Sequence, residues 1–193
     1  LDLLWTDFLN SMWHDWRGSG RSEDRLEKPA WLERFTATWN LNAPLPLQPE
    51  ELDALKKLRT LLGRMAENVV AGFLLHPDDL QQLNQAMARS PVTRQLVRTD
   101  GKYRLELVPL RQDWVHAMAD IAASFALTLA EGDDGRIRIC DNPHCRWVFI
   151  DSTRNRSKRF CDDKLCGNLM KVRRFRARKQ SSDHAESGRG QKE

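Results

Sequence analysis

Four cysteines, Cys140, Cys145, Cys161 and Cys166, fall in the spacing C-x4-C-x15-C-x4-C, and the sequence contains no others. Two local thiol pairs can occupy the corners of a tetrahedron while ordering few loops, which suits a zinc ion held about 2.3 Å from each sulfur. Four thiolates leave no coordination position for water, so the expected ion, Zn2+, is structural rather than hydrolytic. The competing uses are two disulfides, a redox pair or an iron–sulfur cluster. No feature of the sequence indicates an oxidising compartment, and reduced thiols favour metal. His144 beside Cys145 is an alternative ligand that a full set of four thiols makes unnecessary.

Short elements must hold these pairs in place. Residues 136–139 alternate as a strand entering the first pair, and Trp147 to Ile150 form an apolar strand leaving it. Asp162 and Asp163 then open a helix, which puts Cys161 just before its start and Cys166 in its first turns. A knuckle, a short hairpin and a helix make a treble-clef-like finger. So small a unit buries little core, and metal binding, worth about 10–16 kcal/mol in comparable peptides, is expected to stabilise it.

Cations crowd the same segment. Arg154, Arg156, Lys158 and Arg159 lie between the second strand and Cys161, while Lys171, Arg173, Arg174 and Arg178 lie on the final helix. With Asn155 they are the candidate nucleic-acid contacts, since guanidinium groups capture phosphate in a bidentate fashion. Asn155 has the alternative role of capping its turn. Lys171, Arg174 and Arg178 share one helical face, and Leu165, Leu169 and Val172 form an opposing stripe expected to pack under the finger. Trp147 and Phe160 are expected in the finger's core, with stacking on unpaired bases as the alternative.

The charge is divided along the chain. Residues 1–135 carry 15 Lys/Arg against 20 Asp/Glu, residues 136–179 carry 14 against 4, and residues 180–193 carry 2 against 3. So basic a block suggests a polyanionic partner, although a solvated charged helix would look similar. The expected division is a helical domain over 1–135, the finger with its basic helix over 136–179, and a disordered tail over 180–193. The expected fold is mainly α with a small β-hairpin.

The helical part reads from its apolar periodicity. Leu4, Phe8 and Met12, with Trp5 and Leu9, predict a buried helix over 1–13, followed by a loop over 14–28 and a helix from Pro29 to Trp39. Pro49 opens a long helix with the stripe Leu52, Leu55, Leu58, Leu62, Met65 and Val69, stopped near Gly72. A further helix to about Arg89 turns Leu80, Leu83 and Met87 inward. Asp100 and Gly101, between RQLVRT and KYRLELV, predict a hairpin with a type I′ turn. A last helix, 112–130, presents Trp114, Met118, Ile121, Phe125 and Leu129. Trp5, Trp13, Trp16, Trp31 and Trp39 are core candidates, with a ligand pocket as the alternative use. His14, His76, His116 and His184 form no constellation, and no Walker loop, GxSxG elbow, GxGxxG turn or HExxH helix is present. No apolar run approaches the ~18 residues that span a bilayer, and no basic-then-apolar leader opens the sequence, so a cytoplasmic location is expected.

The run CDNPHCRWVFIDSTRNRSKRFCDDKLCGNLMKVRRFRARK resembles the CGNR zinc-finger family of bacteria, on Phe149, Asp151, Thr153, Arg154, Asn155, Ser157, Lys158, Arg159, Phe160, Cys161, Cys166, Gly167 and Asn168. The opening LDLLWTDFLNS is similar to the start of the ABATE domain that precedes this finger in the family. One departure stands out: the family's arginine after C-G-N is Leu169 here. The resemblance implies a stress-related transcription regulator. An enzyme is the weakest alternative, because a closed four-thiolate site offers no Lewis-acid position and no acid-base pair is evident. The expected partner is DNA, bound by the basic finger, with the N-terminal domain sensing a small-molecule ligand or forming a homodimer. The alternatives are an RNA binder and a zinc-stabilised protein-interaction module.

Overall fold

A computed structural model describes residues 3–187 of the protein, and the side chains of residues 3–180. The described residues are mainly helical, with three two-stranded antiparallel sheets. Helix α1 (Leu4–Leu9) leads into a hairpin of β1 (Met12–His14) and β2 (Ser22–Asp24), then α2 (Pro29–Thr38), α3 (Pro49–Val70) and α4 (Pro77–Ala88). A long hairpin, β3 (Val92–Thr99) and β4 (Lys102–Pro109), precedes α5 (Trp114–Ala130). Strands β5 (Ile137–Ile139) and β6 (Val148–Ile150) and the final helix α6 (Asn168–Ser187) complete the chain. Helix α6 runs past the expected start of the tail at residue 180, and residues 188–193 of that segment lie outside the described residues. Among the described residues no helix is long and apolar enough to cross a membrane.

Local chemistry sets most helix ends. Pro49 occupies the first position of α3, where its missing N–H costs nothing, and the Glu51 carboxylate accepts the Gln48 N–H at 2.8 Å. Gly72, at φ +77°, takes the left-handed conformation just past its end. Asp113 caps α5 by accepting the His116 N–H at 3.0 Å. Asp100 and Gly101, both at positive φ, close β3 onto β4 as their sequence requires.

The core gathers Trp5 and Phe8 of α1, Trp31 and Phe35 of α2, Leu55, Leu62 and Met65 of α3, and Trp114, Ile121 and Phe125 of α5. Trp5 meets Phe125 edge-on at 5.0 Å and donates to Thr128 Oγ1, while Trp31 stacks on Phe35 at 4.7 Å. These rings are core rather than a pocket lining. Leu80, expected inward, is exposed, and α4 contributes Leu83 with a half-buried Met87. At that helix's N-terminus Asp79 is buried and paired with Arg64 of α3.

The first segment departs from its helical periodicity. Helix α1 stops at Leu9, and Met12 to His14 pair instead with Ser22 to Asp24, inside the stretch expected to be a loop. A tertiary contact explains the stop. The buried Asn10 side chain donates to the Val148 carbonyl at 2.8 Å and accepts the Val148 N–H at 2.9 Å, acting as a strand neighbour for β6. The Ser11 carbonyl accepts from Arg25 N–H at 2.8 Å. Two long-range backbone-type contacts thus outweigh the helical spacing of Met12. Asn10→Ala leaves a buried donor and acceptor unpaired, so we expect a stability loss of about 2–4 kcal/mol in urea denaturation.

Candidate metal centre and basic surface

Strands β5 and β6 pair with Ile137 opposite Ile150 and Ile139 opposite Val148, and the ladder extends as Cys140 N–H donates to the Trp147 carbonyl at 2.9 Å. Between them Cys145 N–H donates to the Asn142 carbonyl, turning the chain in a tight knuckle that Arg146 leaves at φ +57°. Asp141 N–H donates to the Arg159 carbonyl and lays the second cysteine segment alongside the first. Asp162 then caps a π-type turn, Asp163–Gly167, that carries Cys166 inward before α6 begins.

These turns converge the four thiols. Every sulfur lies within 4.8 Å of every other, with Cys145 to Cys161 at 3.6 Å and Cys161 to Cys166 at 3.9 Å. A tetrahedron of zinc–sulfur bonds of about 2.3 Å has an edge of about 3.8 Å, so the donor set fits one zinc ion. Disulfides need sulfurs about 2.05 Å apart, and all four cysteines are free. His144 lies outside the sulfur set. Hydrogen bonds from the Cys145 and Cys161 thiols bring the Cys140 thiol down to about 2. The same contacts act oppositely on the donors: hydrogen bonding to Cys140 pushes Cys145 up to about 12 and raises Cys161 as well. So crowded a set ionises only in part by itself, and a divalent cation lets all four thiolates form.

Two fully buried polar side chains support this centre. Asn142 donates from Nδ2 to the Trp16 carbonyl at 2.8 Å and lies 3.3 Å from the Cys166 sulfur, while its Oδ1 accepts the His144 N–H. Asp151 accepts the Thr153 N–H and hydroxyl on one oxygen and the Lys158 N–H at 2.9 Å on the other. That carboxylate therefore shapes the loop bearing Arg154, Asn155 and Arg156. Arg136 reinforces it by donating to the carbonyls of Asp151 and Thr153.

The nominated cations separate into groups. Arg154, Asn155, Arg156, Lys171, Arg174 and Arg178 are exposed. Arg159 pairs with Asp141 and lies over the Phe160 ring, and half-buried Lys158 sits over Phe149 at 5.4 Å. Arg173 has a structural contact, donating to the Arg17 carbonyl at 2.6 Å. The stripe expected to pack under the finger does not do so. Leu165 and Val172 are exposed and Leu169 is half-buried, because the finger's own apolar needs are met by Phe149, Trp147, Phe160 and Trp16 around the sulfurs.

With this geometry in view, two family models match the chain. One is the CGNR zinc finger, over residues 136–179, and the other, over residues 2–132, is ABATE, described as "putative stress-induced transcription regulator". The chain belongs to the ABATE family and carries a CGNR zinc finger. Both families are regulatory or zinc-finger types rather than enzyme families. No curated protein matches the chain.

The ABATE region and the finger meet through specific contacts. Ile137, Val148 and Ile150 belong to the same buried cluster as the ABATE helices, so β5 and β6 close the bottom of that core. The loop after β1 reaches the other side of the finger, where Trp16 and Arg17 supply carbonyls to Asn142 and Arg173. Gly18, at φ +89°, lies so close that an added Cβ would stand 3.1 Å from the His144 ring. The contacts of Asn10, Asn142 and Gly18 are not legible in the sequence because none belongs to a periodic pattern, although Asn10 lies in the ABATE-like opening and Asn142 between two cysteines.

Burial alone would push the Asp151 carboxyl up. The hydrogen bonds from Thr153 and Lys158 and the Arg138 charge outweigh it, and the group titrates below its ordinary value of 3.8. Its stabilisation is therefore complete above that value and is lost as pH falls through the lower folded one. Asp151→Asn is expected to destabilise the protein at pH 7 and to flatten the pH dependence of stability below pH ~4, read by denaturation at stepped pH.

Proposed function

We propose that Cys140, Cys145, Cys161 and Cys166 ligate one zinc ion, and that the finger so formed is a DNA-binding element of a transcription regulator. On this reading residues 136–179 make the contacts and residues 1–135 form the regulatory unit. The observation that carries it is the pairing of a closed four-sulfur cluster with exposed cations on both elements leaving it. Arg154 and Arg156 stand on the loop organised by Asp151, and Lys171, Arg174 and Arg178 on α6. Asn155 lies between the two loop arginines and suits a neutral phosphate contact. A rigid base matters because phosphate contacts position a protein on a duplex only when the cations keep a fixed spacing. Leu169, at the arginine position of the CGNR motif, leaves out one cation, and Lys171 supplies another two residues on.

A second reading has an observation of its own. Leu165, Val172 and Phe175 are exposed beside the cations of α6. Such a mixed apolar and basic face suits an acidic protein surface, making the finger a protein-interaction module.

Purified under reducing conditions, the protein is expected to contain about one zinc per chain by elemental analysis. Cys161→Ala should lose the metal and the C-terminal fold; a metal-free, fully folded wild-type finger would sink the metal reading. Affinity for unrelated duplexes should fall with a log–log salt slope of about −4 to −5, corresponding to roughly five phosphate contacts. The triple variant Arg154→Ala/Arg156→Ala/Lys171→Ala should lower that slope by about 3. No measurable duplex binding at low salt ends the DNA reading, and tighter binding to single-stranded RNA would redirect it.

A further inference from the structure

The β3–β4 hairpin is amphipathic, and its apolar face is uncovered. Directly opposed residues of an antiparallel pair share a face, so the register places Val92, Leu96, Tyr103, Leu105, Leu107 and Pro109 on one side with Arg94 and Arg98. The other side carries Thr93, Gln95, Thr99, Lys102, Arg104 and Glu106, along with Val97 and Val108. The alternation is that of a strand pair with one buried side. Yet Leu96 is 66% exposed, Tyr103 69%, Leu105 65% and Leu107 64%. Each strand packs principally on the other, and the helical core is built without them. An isolated hairpin of two strands is marginal in water, and eight-residue strands of this pattern call for a cover.

We propose that this face is the contact between two copies of the chain, stacked hairpin on hairpin about a two-fold axis parallel to the strands. Two arguments choose a second copy. The first is shape: two paired eight-residue strands present a flat face about 27 Å long and about 10 Å wide, which a second identical hairpin matches over its whole length. The second is charge placement. A two-fold along the strands lays β3 over β4 of the other copy, so Leu96 meets the partner's Leu105, Arg94 meets the partner's Leu107, and Arg98 meets the partner's Tyr103. No arginine then faces an arginine. Arg98 already lies 5.7 Å over the Tyr103 ring within its own hairpin, so the same cation–π chemistry is available across the interface. A two-fold across the strands would instead lay β3 over β3 and set Arg94 against Arg98. The contact is isologous, closing at two copies, with sheets about 10 Å apart. It does not depend on the finger's ligand, because no finger residue takes part.

Sedimentation velocity on the full-length, zinc-loaded chain tests this across a concentration series. Wild type is expected to pass from monomer to dimer, and Leu96→Lys/Leu105→Lys should weaken the dimer tenfold or more by setting cation against cation beside Arg94 and Arg98, on the order of the loss seen at interface centres. Gln95→Glu/Thr99→Glu, on the polar face, should leave the dimer unchanged. Tyr103→Lys provides a milder probe by setting a second cation against Arg98, and it too should weaken association while circular dichroism remains that of wild type. A wild type monomeric at every concentration overturns the proposal, as does a dimer that folded Leu96→Lys/Leu105→Lys and Tyr103→Lys variants leave intact.

Discussion

The C-terminal third of this protein depends on four sulfurs held within 4.8 Å of one another. Such a group is unfavourable alone, because each thiolate formed makes the next harder to form, as the opposed shifts of Cys140 and Cys145 express. A divalent cation reverses that balance and turns a repulsive cluster into the strongest crosslink in the segment. The knuckle at Asn142, the π-type turn over Asp163–Gly167 and the direction in which α6 leaves the centre are all consequences of bringing four sulfurs to one point.

The centre is also tied to the body of the protein. Strands β5 and β6 carry Ile137, Val148 and Ile150 into the helical core, and Asn10 binds both backbone groups of Val148. From the other side the Trp16 carbonyl reaches Asn142, which touches the Cys166 sulfur. The finger is therefore a buttressed extension of the ABATE core rather than a bead on a linker. The loop after β1 thus touches both the sulfur centre, through Asn142, and the basic helix, through Arg173.

Buried polar groups give the structure its specificity, while apolar burial supplies the bulk of its stability. Asn10, Asn142 and Asp151 are buried, and their side chains satisfy backbone donors and acceptors that a strand edge and the turns would otherwise leave unpaired. Among the described residues no buried side-chain nitrogen or oxygen lacks a partner. The cost of leaving such a group orphaned exceeds the net gain of an average hydrogen bond, so each contact excludes alternative arrangements more than it adds to the total.

What the sequence determined by itself was whatever rests on near neighbours. The cysteine spacing announced a four-sulfur centre, Pro49 and Gly72 bounded a helix, and Asp100–Gly101 marked a hairpin, because ligand reach, ring closure and positive φ are local requirements. Periodicity also identified most of the core-facing stripe of α5. The tertiary structure alone decided the rest. It turned Met12 to His14 into a strand because Asn10 and Ser11 are claimed by distant backbone, and it assigned Arg173 to a carbonyl rather than to solvent. It also left Leu165, Val172 and the face of β3–β4 open, although their spacing resembles that of buried positions. Periodicity records that a face is apolar; which neighbour covers it depends on where other elements lie, and that information is spread over residues more than a hundred positions apart.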